Sequence, residues 1–157
     1  MARCVEDDVA KGYLAPEYLE REILAPSIDI FAFGVILLEV LSGQTPISRG
    51  NGTEGEDELV LSEKIKVILE SENADELRVW VDSALGENYS FDAAVTLANL
   101  ARACVEEEPS LRPNAGEIVE KLSRLVEELL EGEEQLIISE SSCKPLFKPA
   151  ATSSTTM

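Results

Sequence analysis

Apolar and polar positions alternate along this chain with a helical period, and short breaker segments punctuate the pattern. Residues 1–12 are polar and predict no element. A turn-like segment, Gly12 to Tyr18, leads into a short helical stretch. Pro16, with Glu17 and Glu20 behind it, suits a helix N-terminus, and Pro26 is expected to stop that stretch. The run from Ile28 to Leu41 is apolar on nearly every face. Ser27 before it and Gly43 after it bracket a helix of about four turns, with Ser27 as the expected N-cap. Such a helix should be buried on all sides. Asp29 and Gly34 stand out within it, because a buried acid needs partners and a mid-helix glycine costs about 1 kcal/mol unless something packs close.

Residues 43–57 read as a Gly-rich, acidic loop. Helical periodicity resumes over residues 58–71, with Leu59, Ile65, Ile68 and Leu69 on one side, and residues 74–81 form a further short helix carrying Trp80 into the core. Asp82 to Asn88 reads as a loop. Ser90 caps a helix from Phe91 to Val105 whose stripe is Ala94, Leu97, Ala98, Ala101 and Val105. After a rigid Pro109–Pro113 linker, Asn114 and Glu117 form a capping box that opens a helix to about Glu131, with Ile118, Leu122, Leu125 and Leu129 inside. From Gly132 the chain turns to acids, Ser, Thr and Pro, which predicts a mostly disordered tail. The fold class is therefore all-α: a short-looped bundle over residues 1–131 and an acidic, Ser- and Thr-rich tail over residues 132–157.

Composition narrows the chemistry. The chain has 157 residues, 31 Asp plus Glu against 13 Lys plus Arg, and a net charge of −18. Nucleic acid and anionic membrane surfaces need a basic footprint, so neither is the expected partner. The chain has no His, which excludes Ser-His-Asp and Cys-His pairs and any His-ligated metal. Cys4, Cys104 and Cys143 fit neither a disulfide framework nor a zinc pattern, so reduced thiols in a cytoplasmic setting are expected, with Cys104 inert on an apolar helix face. No signal peptide opens the chain, and the longest apolar stretch is too short to span a bilayer. The sequons at Asn51 and Asn88 read as chance matches in loops. The acidic runs Glu54–Glu58 and Glu106–Glu108 read as solvated loops.

Three ordered stretches together resemble the C-terminal lobe of a eukaryotic protein kinase. They are Gly12-Tyr13-Leu14-Ala15-Pro16-Glu17-Tyr18, which resembles the Ala-Pro-Glu motif and its substrate loop; Asp29-Ile30-Phe31-Ala32-Phe33-Gly34-Val35, which resembles the start of the kinase F helix; and Cys104 through Arg112-Pro113 to Leu122, which resembles the family's last block. The composite is similar to plant receptor-like kinases, and most of all to the LysM-domain receptor-like kinases. The opening Met1-Ala2-Arg3 resembles the residues that follow the family's Asp-Phe-Gly motif.

The resemblance implies roles. Glu17 and Arg112 should form a buried ion pair that ties the substrate loop to the last helices. Gly12, Tyr13 and Leu14 should shape the wall for the substrate residue just after the phosphorylated one. Asp29 should anchor the catalytic loop, which this chain does not contain; failing that, it is a first-turn acid favoured by the helix dipole. No catalytic residue and no metal ligand is assigned, because the ATP-, Mg²⁺- and base-carrying residues of the family are expected upstream of Met1. ATP and Mg²⁺ belong to the complete domain, and no cofactor is expected in this chain. Two departures stand out: Ala10 occupies the place of a family Thr, and no Ser or Thr precedes Ser27, so the usual ordering phosphorylation lacks an acceptor.

The implied function is ATP-dependent Ser/Thr phosphoryl transfer in receptor signalling, with this chain a truncated lobe inactive alone on the cytosolic side of a plasma-membrane receptor. The alternative is a pseudokinase-type module that binds a partner kinase or receptor. An unrelated acidic helical adaptor is a third reading, to be recognised by Glu17 and Arg112 lying far apart.

Overall fold

The computed structural model describes residues 10–48 and 59–142. Two units are distinguished, one to Ile118 and one from Val119. Among the described residues of the first are the helices α1 (Pro16–Arg21), α2 (Pro26–Ser42), α3 (Leu61–Glu70), α4 (Ala74–Trp80) and α5 (Phe91–Cys104). The long helix α6 (Ala115–Ser142) begins in the first unit and makes up the described part of the second. The family of helices matches the all-α expectation. One addition is a two-residue antiparallel ladder, β1 (Ile47–Ser48) with β2 (Leu59–Val60), pairing Ile47 with Val60 and Ser48 with Leu59. Single 3-10 turns occupy Ser83–Leu85, within the expected 82–88 loop, and Pro109–Leu111.

Local chemistry sets most boundaries. The Ser90 hydroxyl accepts the Ala93 N–H at 3.2 Å. The Asn114 carboxamide accepts the Glu117 N–H at 3.0 Å while the Glu117 carboxylate accepts the Asn114 N–H at 2.9 Å, a reciprocal capping box. Gly43 closes α2 in the left-handed region at φ 67°, where a side chain is disfavoured.

Three boundaries differ from the sequence expectation. The helix expected over residues 58–71 begins only at Leu61, because Leu59 and Val60 are extended and pair with β1, so Leu59 belongs to the ladder and not to the helix's apolar side. Pro26 does not stop a helix but opens one: it sits at the first position of α2, its missing N–H costing nothing there, and Ala25 rather than Ser27 is the N-cap. The helix opened by Asn114 does not end near Glu131 but runs to Ser142, because Glu, Gln and Leu over residues 133–136 are good helix formers and Gly132 is tolerated at an exposed site. The remainder of the expected tail, residues 143–157, lies outside the described residues, as do the acidic run Glu54–Glu58, the sequon at Asn51, Cys4 and Cys143.

The core of the first unit lies between α2, α3 and α5, where Val35, Leu38, Ile65, Ala98, Ala101 and Cys104 are fully buried. Ala94, Ala98 and Ala101 give α5 a low surface, and Gly34 gives α2 one. A Cβ on Gly34 would lie 2.6 Å from the Cβ of Cys104, so the two helices meet nearly backbone to backbone. That contact explains the mid-helix glycine. Helix α2 is not buried on all sides: Ile36 and Val40, one turn apart, are 49% and 70% exposed, a face that no described element covers. Trp80 is 4% exposed and belongs to the core, its indole N–H without a hydrogen-bond partner among the described residues. In α6, Ile118 and Leu125 are buried, whereas Leu129, expected inside, is exposed.

Candidate functional site

The site is assembled around the loop that precedes α1. Lys11 to Leu14 form a tight turn, with the Tyr13 N–H bonded to the Ala10 carbonyl at 3.1 Å and the Leu14 N–H to that of Lys11 at 3.2 Å. Gly12 is buried, and a Cβ there would meet the Cβ of Pro46 at 2.6 Å, so the loop lies directly on the segment that enters β1. Beside it runs a groove of about 400 Å³, walled by Gly12, Leu14, Pro16, Leu19, Phe31, Val60 and Val105 and rimmed by Lys11, Glu63, Lys66 and Glu107. The Lys66 ammonium is held by the Glu63 carboxylate at 3.0 Å and lies 3.7 Å from that of Glu107.

Two polar contacts fix this loop to the helices behind it. Arg112 donates from both terminal nitrogens to Glu17, at 2.6 Å to Oε1 and 2.9 Å to Oε2, a bidentate pair between residues far apart in sequence. Its three other N–H groups go to backbone carbonyls: Glu106 at 2.8 Å, Ser27 at 3.0 Å and Glu107 at 3.3 Å. A guanidinium has five donors, and all five are used. The Arg112 side chain is 1% exposed and lies over the Phe31 ring at 5.1 Å. The hydrogen bond from Arg112 holds the Glu17 carboxyl below its ordinary value, against the opposing effect of burial.

The second contact was not foreseen in the sequence. The Tyr13 hydroxyl donates to the Glu39 carboxylate, 2.7 Å from Oε1 and 2.8 Å from Oε2. Burial, reinforced by that bond and by the carboxylate's charge, pushes the Tyr13 hydroxyl up to about 12. The available signal was Glu39 itself, an acid deep in an otherwise apolar helix, which calls for a partner.

A pH test follows. Tyr13 is held neutral in the fold, so its contribution to stability is complete below its ordinary value of 10 and is lost as pH rises towards 12. Urea midpoints measured from pH 9 to 12 should fall more steeply for the native chain than for the Tyr13→Phe variant. Equal slopes would refute the assignment.

Asp29 lies in the first turn of α2 and is exposed, so it is not a buried unsatisfied acid; the turn's unpaired N–H groups and the helix dipole suit its charge. Among the described residues no side-chain hydrogen bond or ion pair joins it to the Glu17–Arg112 pair. Among the described residues no group of three or more Cys, Asp or Glu could hold a metal ion.

The family model described as "Protein kinase domain" matches residues 5–122. The chain belongs to the protein kinase family. Its helices are those of the kinase C-terminal lobe, and LysM receptor-like kinases of plants are among its relatives. It is 40% identical to Protein LYK2 of Arabidopsis thaliana over 96% of this chain and 24% of that protein. It is 38% identical to Protein LYK5 over 78% of this chain and 19% of the relative, and 34% identical to Chitin elicitor receptor kinase 1 over 73% and 18%, both from Arabidopsis thaliana. The chain thus spans about a quarter or less of these curated relatives. Among solved structures, the pseudokinase domain of BIR2, an immune regulator of the RLK/Pelle family, superposes with a TM-score of 0.60 at 22% identity, covering 75% of this chain and 34% of that one. That likeness carries the fold alone. Among the described residues no helix of this kinase lobe is long and apolar enough to cross a membrane.

Proposed function

We propose that this chain supplies the substrate-facing half of a receptor-like Ser/Thr kinase domain, acting on the cytosolic side of a plasma-membrane receptor. In this reading Gly12, Tyr13 and Leu14 form the wall for the substrate residue after the phosphoacceptor. The Glu17–Arg112 pair fastens that wall to the last helices, and Asp29 anchors the catalytic loop of the complete domain. The observation that carries the reading is the loop itself, pinned at Tyr13 by Glu39 and at Glu17 by Arg112 beside an open groove.

Kinases bind ATP through Mg²⁺ and a catalytic-loop Asp. The residues of this chain do not fit those groups: it contains no His-Arg-Asp or Asp-Phe-Gly sequence. No phosphoryl-transfer step is therefore assigned to its side chains, and the chain alone is inactive. The test is a chimera in which this chain replaces the corresponding lobe of a catalytically active LysM receptor-like kinase. With Mg-ATP it should phosphorylate a Ser/Thr peptide, and the chain alone should bind no Mg-ATP by calorimetry. A chimera that melts like its parent yet transfers no phosphate would overturn the catalytic reading.

The alternative is a pseudokinase-type module docking a partner kinase or receptor, and Ala10 favours it. The family Thr at that place contacts catalytic groups, and Ala has no hydroxyl to do so. Activity gained by the chimera only on Ala10→Thr would support this alternative.

A further inference from the structure

The last turns of α6 present an apolar face that the kinase reading does not use. Leu129 and Leu136 are seven residues apart, as are Leu130 and Ile137, and Val126 lies one turn before Leu130. Spacings of four and seven place these side chains on one broad stripe of a helix. They are 41% to 67% exposed, which is high for large apolar residues on one continuous face.

The charges around the stripe indicate what covers it. Between Val126 and Ile138 the sequence holds Glu127, Glu128, Glu131, Glu133 and Glu134, with no Lys or Arg. Glu133 stands one turn from Leu129 and from Ile137, within the apolar stripe rather than beside it. A second copy would bring the same glutamates together, on a chain already at −18. A helix with basic flanks would bury the stripe, offset the flanking acids and give Glu133 a cation at the point where docking takes it from water.

We propose that Val126, Leu129, Leu130, Leu136 and Ile137 form a docking face for a basic amphipathic helix of a partner protein, with Lys or Arg set opposite Glu133. The spacing suits a two-helix coiled coil of about two heptads. None of these residues lines the groove beside Gly12, and the proposal does not depend on catalysis.

The probe is a synthetic peptide of three Ile-Ala-Lys-Leu-Lys-Ala-Lys repeats, titrated into the full chain by calorimetry. Saturable one-to-one binding is expected. A Leu136→Ser, Ile137→Ser double variant keeps every charge and changes only exposed positions; it should bind at least about tenfold more weakly, as should Glu133→Lys. Circular dichroism checks that α6 persists, and Leu130→Ser replaces the double variant if it does not. The proposal is overturned by absence of saturable binding, by equal binding of the Ser and native chains, which would mean charge attraction alone, or by a dimer in sedimentation that the Ser substitutions dissolve, which would place a second copy on the face. Binding of neutral phosphatidylcholine vesicles, lost on the same substitutions, would overturn it in favour of a lipid surface.

Discussion

Arg112→Gln should lower the stability of this chain by about 3–5 kcal/mol, the cost of breaking a buried ion pair from one side. The geometry explains the size. Five N–H groups of Arg112 satisfy Glu17 and the carbonyls of Ser27, Glu106 and Glu107. Removing the guanidinium leaves a nearly buried carboxylate and three carbonyls short of donors at once. Arg112→Lys should rescue little, because one ammonium has three donors and cannot span a planar fork of five. The measurement is the urea midpoint of each variant, and a Lys variant within about 1 kcal/mol of the native chain would refute the five-donor account.

The pair also sets a direction in acid. Glu17 ionises more readily in the fold than its ordinary value of 4.5. Its contribution is complete above that value and is lost as pH falls through the lowered folded value. The Glu17→Gln variant should therefore start less stable at pH 7 and lose less stability than the native chain between pH 5 and pH 2.

Gly34→Ala should destabilise the chain by about 1–3 kcal/mol, the cost of overpacking a tight core. The new methyl would lie 2.6 Å from the Cβ of Cys104, 2.8 Å from Cγ1 of Val105 and 3.1 Å from the Ala101 carbonyl oxygen. A Cβ and a carbonyl are fixed to their backbone, so α2 and α5 must separate to admit it. Gly132→Ala is the control. Gly132 is also inside a helix, but nothing lies within 4 Å of its added Cβ. There the same substitution should stabilise α6 by about 1 kcal/mol through helix propensity. Opposite signs in thermal melts of the two variants are the expected result; a stabilising Gly34→Ala would mean that the helices are not in that contact.

Much of the secondary structure was legible because its causes are local. Ser90, Asn114 with Glu117, and Gly43 act on backbone groups within four residues, so their spacing alone marks where helices begin and end. Pro26 is ambiguous in the sequence because proline can stop one helix or open the next, and only the backbone at Ala25 decides between them. Helix α6 outran its expected end because exposed acids and Ser are compatible both with helix and with coil, and composition does not separate the two.

The sequence by itself determined the helical class, the caps, the charge and the ordered motifs that mark a kinase lobe, all properties of residue type and short spacing. Only the tertiary structure decided which distant groups meet. Tyr13 reaches Glu39, Arg112 gathers carbonyls from two separate segments, and Gly34 lets α5 approach, because the packing of α2 brings those positions together. It also decided that Ile36 and Val40 face outward and that Asp29 is exposed. An apolar run states that a helix can be buried; which of its faces is covered depends on the neighbours that fold against it.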